Sequence, residues 1–459
     1  MKPLEHTTSE LLEPLLRLIS SWVMNLHFLH GQLKPLFARP EVHHHALLYL
    51  QALLSDIPRK NGWQIAEQAR QAHPYSIQRL LSRAVWDEDG MRDTLRDVVC
   101  QTLHPPSTAS SPVFPVFAVD ESGFPKRGHH SAGVAPQYCG VRGHVENCQV
   151  GVFLSYVTEQ GHALIDRELY VPEDWCADLS QRQAAHIPDA LAFATKPELA
   201  VRMLERAQQA HLSVRWVVGD TVYGHSSHLR DWLTEHGYCY ALAVPCTDVV
   251  CVQTRKGLLL ADVASIARQA LRPGDWHQFS VSSGTKGERL FDWARLPLLH
   301  AGVHDGRSWL LVRRCLDDPT ELAYILVWAP PETSLLTMAQ AYGARWSIEE
   351  DLQASKALGL DQYEVRSYVG WYRHITLVLL AYAFLLSCCR LAARPADDPK
   401  TGSSAALIAL TPSEVQHLLA HLLLPAPASV PFIVQWSLFR RTHQYWAGYY
   451  HRRRRQKAG

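Results

Sequence analysis

The sequence predicts an α/β protein in which a run of helices comes first, a mixed sheet with flanking helices follows, and helices return at the end. Three observations support this prediction. Apolar residues recur at helical spacing over residues 1 to about 110. From residue 113 the pattern changes to strand, strand, strand, helix and strand. Residues 245–332 hold short apolar runs that glycine and proline interrupt, as is typical of β-strands and turns.

The composition indicates a folded protein with a large core. The chain has 459 residues, of which 47% are apolar, and this is enough for several domains. Only 19% of the residues are charged, and there are 14 tryptophans and 17 tyrosines, so extensive disorder is excluded. The formal net charge is +1. A nucleic-acid-binding surface would therefore have to come from local basic patches.

Cysteine usage and hydropathy favour a cytoplasmic protein without a membrane partner. The ten cysteines include no CxxC pair, which argues against a zinc ribbon. The residues after Met1 show no secretory signal pattern. The longest apolar run, from Ile375 to Cys389, has 15 residues, whereas a membrane span needs about 20. We expect this run to form a buried core helix.

The N-terminal residues predict a helical domain. Leucine-rich stripes at helical spacing are followed by two shorter helices, at about 62–72 and 76–84, which meet near Pro74. This pattern is compatible with a DNA-binding helix-turn-helix whose second helix carries Gln78, Arg79 and Arg83. An ordinary helical bundle fits it equally well. Prolines at 105, 106, 112 and 115 then predict a linker.

Two predicted strands end in an aspartate. The apolar runs Val113–Asp120 and Val214–Asp220 each finish on a carboxylate. Between them the sequence predicts a hairpin and a helix that begins with a capping box at Thr195. If the two strands are neighbours, Asp120 and Asp220 meet at the carboxyl edge of the sheet, where α/β proteins bind ligands. Because aspartate also favours turns, a purely structural role stays open.

A predicted helix over Leu335–Ala357 adds a third carboxylate. At about 100° per residue, Glu349 shares an arc of about 60° with a phenol and two bases. Glu350 and Asp351 fall outside that arc, so the geometry selects Glu349 among the three consecutive acids. A solvated helix face with salt bridges four residues apart is the alternative. The members of this stripe are Tyr342, Arg345, Glu349 and Lys356.

These residues resemble the signature motifs of the DDE transposases of bacterial insertion sequences. The stripe matches the YREK pattern, Tyr-x2-Arg-x3-Glu-x6-Lys. VFAVDESGFPKRG at 116–128 resembles the first-Asp block of that family, and VVGDTVYG at 217–224 resembles the second. The long block 133–175 resembles the DDE superfamily endonuclease of the seven-hundred-and-one group. The resemblance covers most of residues 60–390.

The resemblance implies an RNase H-like mixed sheet that is interrupted by a β-rich insertion. Asp120, Asp220 and Glu349 would be both the catalytic and the metal-binding residues. They would hold two Mg²⁺ ions, for which Mn²⁺ can substitute. Mg²⁺ is a hard cation that takes oxygen ligands, so three carboxylates suit it. The implied activity is cleavage at transposon ends and joining of the 3′ ends to target DNA by two-metal-ion phosphoryl transfer.

The resemblance also implies DNA-contacting residues. Tyr342, Arg345 and Lys356 would contact phosphates near the cleaved end and fix its register. Lys126 and Arg127, in the polar loop after Asp120, either contact DNA phosphate or belong to an ordinary exposed loop. The Arg452–Arg455 run either binds the DNA backbone or only solubilises the tail, and the tryptophans of the insertion either pack in the core or contact DNA.

The expected organisation has five parts. They are a helical DNA-binding domain at 1–112, the first part of the catalytic core at 113–244, the β-rich insertion at 245–332, the second part of the core with the Glu helix at 333–395, and a helical, basic tail at 396–459. The expected partners are double-stranded DNA, both as terminal inverted repeats and as target, and a second copy of the chain in a homodimer on the DNA. The protein would be cytoplasmic and nucleoid-associated when bound.

Two other functions stay open at the level of sequence. One is a catalytically silent DNA-binding protein derived from a transposase, against which the intact acids and the intact YREK stripe argue. The other is an RNase H-like nuclease that cuts without joining, and strand-transfer products would distinguish it from a transposase.

Overall fold

The computed structural model describes residues 5–103, 111, 113–140, 142–254, 257–284, 287–299, 302–392, 409–423 and 428–458. Contacts between residues divide the chain into two compact units. The first unit is Met1–Leu95 with Ala354–Gly459, and the second is Arg96–Gln353. The predicted proline-rich linker falls mainly on 104–110 and 112, outside the described residues.

The N-terminal region is helical, as the sequence predicts. The two short helices expected around Pro74 are confirmed, and the first begins where Asn61 Oδ1 accepts the backbone N–H groups of Trp63 and Gln64. Arg79 and Arg83 are exposed on or just after the second helix. The helices are α1 (Glu5–Gln32), α2 (Pro40–Leu53), α3 (Gly62–Gln68), α4 (Tyr75–Ser82) and α5 (Glu88–Thr102).

The second unit is built on one large mixed sheet of ten strands. The predicted hairpin and most predicted strands are confirmed. The strands are β1 (Val116–Pro125), β2 (Ala135–Cys139), β3 (His144–Thr158), β4 (Gly161–Tyr170), β5 (Trp216–Gly219), β6 (Cys239–Val244), β7 (Val249–Thr254), β8 (Gly257–Asp262), β9 (His277–Gly284), β10 (Gly287–Pro297), β11 (Ser308–Cys315) and β12 (Leu322–Trp328). Strands β7 and β8 form a separate two-stranded ribbon.

The order of the strands identifies the core of the sheet. Strands β4, β3 and β1 are antiparallel neighbours, and β5 and then β6 lie parallel to β1 on its other side. In the RNase H-like arrangement, the first strand has two antiparallel strands on one side and two parallel strands on the other. The observed order matches this arrangement, so the expected fold class is confirmed. The β-rich insertion continues this sheet, because β12 pairs with β6 and β11, β10 and β9 follow.

Short helices flank the sheet. The predicted helix after Thr195 is confirmed, and its capping box is present: the Thr195 side chain accepts the Glu198 N–H, and the Glu198 side chain accepts the Thr195 N–H. These helices are α6 (Glu173–Ala177), α7 (Leu179–Ala184), α8 (Lys196–Gln209), α9 (Thr221–Gly224), α10 (Ser227–Glu235) and α11 (Val263–Ala270).

The expectation of one continuous helix over Leu335–Ala357 was wrong. The chain forms α12 (Leu335–Gly343) and α13 (Trp346–Ala357), with a tight turn between them. In that turn the Arg345 N–H donates to the Tyr342 carbonyl, so the hydrogen bonding shifts from four-residue to three-residue spacing. Gly343 packs closely against β9, since a Cβ there would lie 2.8 Å from Val281 Cγ2. The YREK residues are therefore divided between two helices and their junction.

A long apolar helix, α14 (Tyr368–Ala392), forms the core of the first unit. It has 25 residues and a mean hydropathy of 2.1 over its most apolar window, so it could cross a membrane by length and composition. The expectation that it is too short was therefore wrong. However, 67% of that window is buried inside the protein, which favours a core helix. Within the unit, His374 of α14 accepts the Tyr49 hydroxyl at 2.8 Å and donates to the Gly359 carbonyl at 3.0 Å.

Two C-terminal helices complete the first unit. They are α15 (Pro412–Leu423) and α16 (Val430–Ala458). The first turns of α16 pack against α3 through Trp436, which is 1% exposed and donates its indole N–H to the Gln71 carbonyl at 2.9 Å. Arg440 forms an ion pair of 2.5 Å with Glu67. From Arg441 to Arg454 the helix is exposed along its whole length.

Replacing Trp436 should release the first half of α16 from the unit. Trp436→Ala removes a fully buried indole, which costs about 3–5 kcal/mol in a well-packed site. Hydrogen–deuterium exchange should show faster exchange of the backbone amides at 430–440, with the amides of β1 and β5 unchanged. The matched control is Trp446→Ala on the same helix, because Trp446 is 48% exposed. Equal protection of 430–440 in the wild type and in Trp436→Ala would contradict this account.

Candidate active site

Parallel pairing of β1 and β5 brings two aspartates to adjacent positions. The register pairs Val116 with Trp216 and Val119 with Gly219. The next residue along β1 is Asp120, and the residue after β5 is Asp220. Both aspartates therefore lie at the carboxyl end of the paired segment. The structure thus brings together the two carboxylates that the sequence places after its two apolar runs, at an edge where α/β sheets bind ligands.

The two aspartates have different backbone settings. The expectation that the first strand ends at Asp120 was wrong, because β1 continues to Pro125 and pairs with β3 along its whole length. Asp220 does follow the end of β5, and its Oδ1 caps α9 by accepting the Val222 N–H at 2.9 Å. Helix α9 approaches β6 so closely that a Cβ at Gly224 would lie 1.8 Å from the Ala243 carbonyl oxygen. Glycine at 224 therefore fixes how far α9 lies above the sheet.

The pKa values of Asp120 and Asp220 are both raised, so it is unfavourable for the two carboxyl groups to be ionised at the same time. Burial, followed by the negative charge of Asp220, raises the pKa of Asp120 to about 7. The Glu121 N–H, 2.7 Å from Asp120 Oδ1, and the Arg345 guanidinium act in the opposite direction. Burial and the charge of Glu121 also raise the pKa of Asp220. The site therefore concentrates negative charge in a region that is poorly solvated, which favours the binding of a cation.

Arg345 connects the third carboxylate to the first. Its Nη1 lies 2.8 Å from Glu349 Oε1 and 3.9 Å from Asp120 Oδ2. Because the same nitrogen lies near both carboxylates, Glu349 Oε1 and Asp120 Oδ2 are no further apart than the sum of these two distances. The side chains of Arg345 and Asp120 are each 16% exposed, whereas that of Glu349 is 37% exposed. Glu349 thus lies at the rim of the site.

The two acids after Glu349 have different partners. Asp351 is fully buried and accepts hydrogen bonds from Ser155 Oγ at 2.5 Å and His162 Nδ1 at 2.8 Å. Glu350 lies 3.4 Å from His162 Nε2. Helix α13 is therefore attached to the β3–β4 hairpin through His162, and Glu349 is the acid of the three that pairs with Arg345.

Tyr342 lies in the core and not on the surface. It is 7% exposed, and its ring packs edge-on against Trp293 at 6.4 Å between centroids. The guanidinium carbon of Arg345 is 5.9 Å from the Tyr342 ring centroid. Tyr342 thus supports the arginine that contacts Asp120 and Glu349. Trp293 is itself fully buried on β10, which agrees with a packing role for this tryptophan of the insertion.

The other three insertion tryptophans each carry an arginine over one ring face. A guanidinium in this position is attracted by the negative face of the indole ring. The arginine carbon lies 4.1–5.0 Å from the ring centroid in the pairs Trp276 with Arg314, Trp309 with Arg295, and Trp328 with Arg307.

Sequence reasoning did not identify Glu121. Its Oε1 lies 2.7 Å from Lys196 Nζ, and its Oε2 accepts the Tyr223 hydroxyl at 2.9 Å. Tyr223 is fully buried in α9, the short helix that begins directly after Asp220. Glu121 therefore ties β1 to α9 and to α8 beside the two aspartates. The sequence shows that Glu121 follows Asp120 and that Tyr223 lies close to Asp220. It does not show that Lys196, from a helix distant in the chain, contacts Glu121.

The other predicted DNA-binding residues are Lys126 and Arg127 in the loop after β1 and Lys356 on α13. Lys126 and Arg127 follow β1, in a loop that Asn147 holds by donating its side-chain N–H groups to the carbonyls of Lys126 and Gly128. Arg127 is exposed and Lys126 is partly buried. Lys356 is partly buried on α13, two turns after Glu349.

Comparison with known proteins agrees with this geometry. A model of the family described as DDE superfamily endonuclease matches residues 32–268, slightly more than half of the chain. The chain belongs to this family. A probable transposase for insertion sequence element IS701 from Microchaete diplosiphon is 23% identical over 318 residues, which cover 69% of this chain and 75% of that protein. The resemblance to DDE transposases of this group, noted from the motifs, is thereby confirmed.

One solved structure is similar over much of the chain. It is a cryo-EM structure of the piggyBac transposase synaptic complex with hairpin DNA. The alignment covers 87% of this chain and 76% of that one, at 11% identity and a TM-score of 0.44.

The three carboxylates offer the type of ligand atom that a divalent cation takes, but the structure does not hold them closely grouped. Asp120, Asp220 and Glu349 offer only oxygen ligands, which Mg²⁺ and Mn²⁺ prefer. Among the described residues, these three are not a group whose ligand atoms all lie within 4.8 Å of one another. Arg345 lies between Asp120 and Glu349 and neutralises part of their charge.

The ion pairs of His162 with Asp351 and Glu350 should make the stability of the second unit depend on pH. Burial opposes the charge on His162, but Asp351 and Glu350 outweigh it and raise the pKa of His162 to about 10. In the unfolded chain the pKa of histidine is about 6.5. The stabilisation is therefore complete below pH 6.5 and is lost as the pH rises towards 10. Between pH 7 and 9 it should decrease by up to about 1.4 kcal/mol per pH unit.

Urea unfolding of the wild type and of His162→Gln between pH 6 and pH 9.5 tests this. Glutamine can still donate a hydrogen bond to Asp351 but cannot carry the charge. The difference in unfolding free energy between the two proteins should be largest at pH 6 and shrink towards pH 9.5. A difference that is constant over this range would show that the pair is not an ion pair in the folded protein.

Proposed function

We propose that this chain is a DNA transposase that cleaves at transposon ends and joins the 3′ ends to target DNA by two-metal-ion phosphoryl transfer. The observation that supports this most strongly is the adjacency of Asp120 and Asp220, together with the link from Glu349 to Asp120 through Arg345. The chain also belongs to a family of DDE endonucleases, whose model covers the segments with Asp120 and Asp220. In this proposal Asp120, Asp220 and Glu349 are the catalytic and metal-binding residues.

The roles of the acids follow from their positions. When bound, two divalent ions would activate the attacking water or 3′-hydroxyl and stabilise the leaving oxygen. Asp120 and Asp220 would bind these ions. Their backbone positions are well fixed, because Asp120 lies within β1 and Asp220 caps α9. Glu349, at the more exposed rim, would complete the ligand set. Glu121 would act as a positioning residue, because both its oxygens already hold Lys196 and Tyr223.

Arg345 would exchange partners during the reaction. In the structure it compensates the charge of Asp120 and Glu349. With cations held at these carboxylates, the planar Arg345 guanidinium would be available to bind a DNA phosphate through paired N–H groups. Tyr342 supports Arg345 from the core. Lys356 would contact a phosphate near the cleaved end, and Lys126 and Arg127 would contact DNA phosphate from the loop after β1.

The remaining assignments are also proposals. The helices of 1–112 would recognise the terminal inverted repeats, the segments 113–244 and 333–395 would form the catalytic core around the insertion 245–332, and 396–459 would be an accessory basic part. A homodimer would hold two ends together, because transposition joins two ends to one target. The protein would be soluble, act in the cytoplasm and associate with the nucleoid when bound to DNA.

Cleavage and joining assays on DNA with the element's own ends test the catalytic assignment. Asp120→Asn, Asp220→Asn and Glu349→Gln keep the shape of each side chain but weaken its binding of cations. Each should lower both Mg²⁺-dependent reactions by at least about 10³-fold while end binding persists. The matched control is Glu350→Gln, which removes the charge of the neighbouring acid and should retain activity.

The outcomes separate the competing functions. A wild type that binds ends but neither cuts nor joins would be a silent DNA-binding protein, and the proposal would be wrong. Cutting without joining would indicate a nuclease. Full activity of Glu349→Gln together with loss of activity in Glu350→Gln would show that the wrong acid was assigned.

The exposed half of α16 should add DNA affinity. Residues 440–459 contain seven lysines and arginines and no acid, and Arg452, Arg453 and Arg454 are exposed. Changing these three to glutamine should weaken DNA binding and lower the slope of log affinity against log salt by up to about 3. Changing the same three to lysine keeps the charge and should keep the slope. Equal slopes for both triple variants would show that this helix does not contact DNA.

A further inference from the structure

A second group of ligand-type side chains lies in the first unit, on α15. His417 and His421 are four residues apart, so they occupy the same side of the helix. Their ring centroids are 4.8 Å apart. Val415, Leu419 and Ala420 are buried and attach α15 to the core of the unit, whereas both histidines are exposed. A rigid, anchored helix therefore presents two imidazoles to solvent as a pair.

A carboxylate from a distant part of the chain joins this pair. Asp56 lies in the loop that follows α2, and in the folded unit its side chain reaches the two histidines. One ligand atom from each of Asp56, His417 and His421 lies within 4.8 Å of the other two. Around a tetrahedral zinc ion, ligand atoms are about 3.4 Å apart. Small rotations of exposed side chains can close this difference.

The hydrogen bonding of His421 prepares it for coordination. Its Nδ1 lies 2.9 Å from the carbonyl oxygen of His417. Because a carbonyl only accepts, Nδ1 must carry the proton, and Nε2 keeps its lone pair. A ring nitrogen that donates to a backbone carbonyl while the other binds a metal is the usual arrangement in metal sites.

From this geometry we propose that Asp56, His417 and His421 form a transition-metal site, distinct from the acidic triad. Two imidazole nitrogens and one carboxylate oxygen match Zn²⁺, and also Co²⁺ or Ni²⁺, whereas Mg²⁺ prefers oxygen ligands alone. Three protein ligands leave a fourth position for water. The site clips the loop after α2 to α15, and it stabilises the folded unit because the unfolded chain does not bring these residues together.

Titration of the full-length, EDTA-treated protein with Co²⁺ tests the site directly. Excess Mg²⁺ is present throughout to occupy oxygen-only sites. Visible absorption should report one tetrahedral Co²⁺ per chain, and Zn²⁺ should displace it. His417→Ala, His421→Ala and Asp56→Asn should each weaken Co²⁺ binding at least tenfold. Zn²⁺ should raise the Tm of the wild type by a few degrees, about 4 °C at a hundredfold excess over Kd, and leave His421→Ala unchanged.

Two controls make the test specific. His44→Ala removes an exposed histidine of the triplet on α2 and should leave the Co²⁺ spectrum intact. Asp120→Asn should also leave it intact, so failure of the site can be distinguished from failure of the proposed transposase function. A Co²⁺ band that persists in both His417→Ala and His421→Ala, or that disappears in Asp120→Asn, would overturn the proposal.

Discussion

The parallel pairing of β1 with β5 is the constraint on which the site depends. It places Asp120 beside Asp220 in a buried setting, where burial and the neighbouring charge raise the pKa of Asp120 to about 7. Two carboxylates so close together need a positive partner. Arg345 supplies part of that charge and also holds Glu349. The same requirement explains why a site of this kind would bind divalent cations.

The surrounding structure keeps this arrangement rigid. Glu121 ties β1 to α8 and α9 through Lys196 and Tyr223, so the strand with Asp120 and the helix capped by Asp220 cannot separate easily. Asp351, buried and bound to Ser155 and His162, attaches the Glu349 helix to the β3–β4 hairpin. Catalytic geometry must be held closely by such supporting contacts. Most of the charged residues near the site therefore act by positioning others.

Much of this could be predicted from the sequence, because local patterns determine it. Strand alternation, the capping box at Thr195 and the acids after apolar runs depend only on neighbouring residues. The break between α12 and α13 was not predicted, and at the end of α12 Gly343 lies close to Val281 of β9, a residue distant in the chain. For the same reason the core position of Tyr342 and the partners of Glu121 were missed. Contacts between distant segments leave no periodic signal in one sequence.

Iron-directed cleavage of the chain tests most directly whether the three acids share one cation site. Fe²⁺ can occupy a Mg²⁺ site with oxygen ligands, and with ascorbate and peroxide it generates radicals that cut the nearest backbone. Mass spectrometry should find cuts around residues 120, 220 and 349 that excess Mg²⁺ suppresses together. Zn²⁺ should suppress any cuts near residues 56, 417 and 421 without affecting the first set. The absence of Mg²⁺-suppressible cuts at any one of the three acidic segments would contradict a shared site.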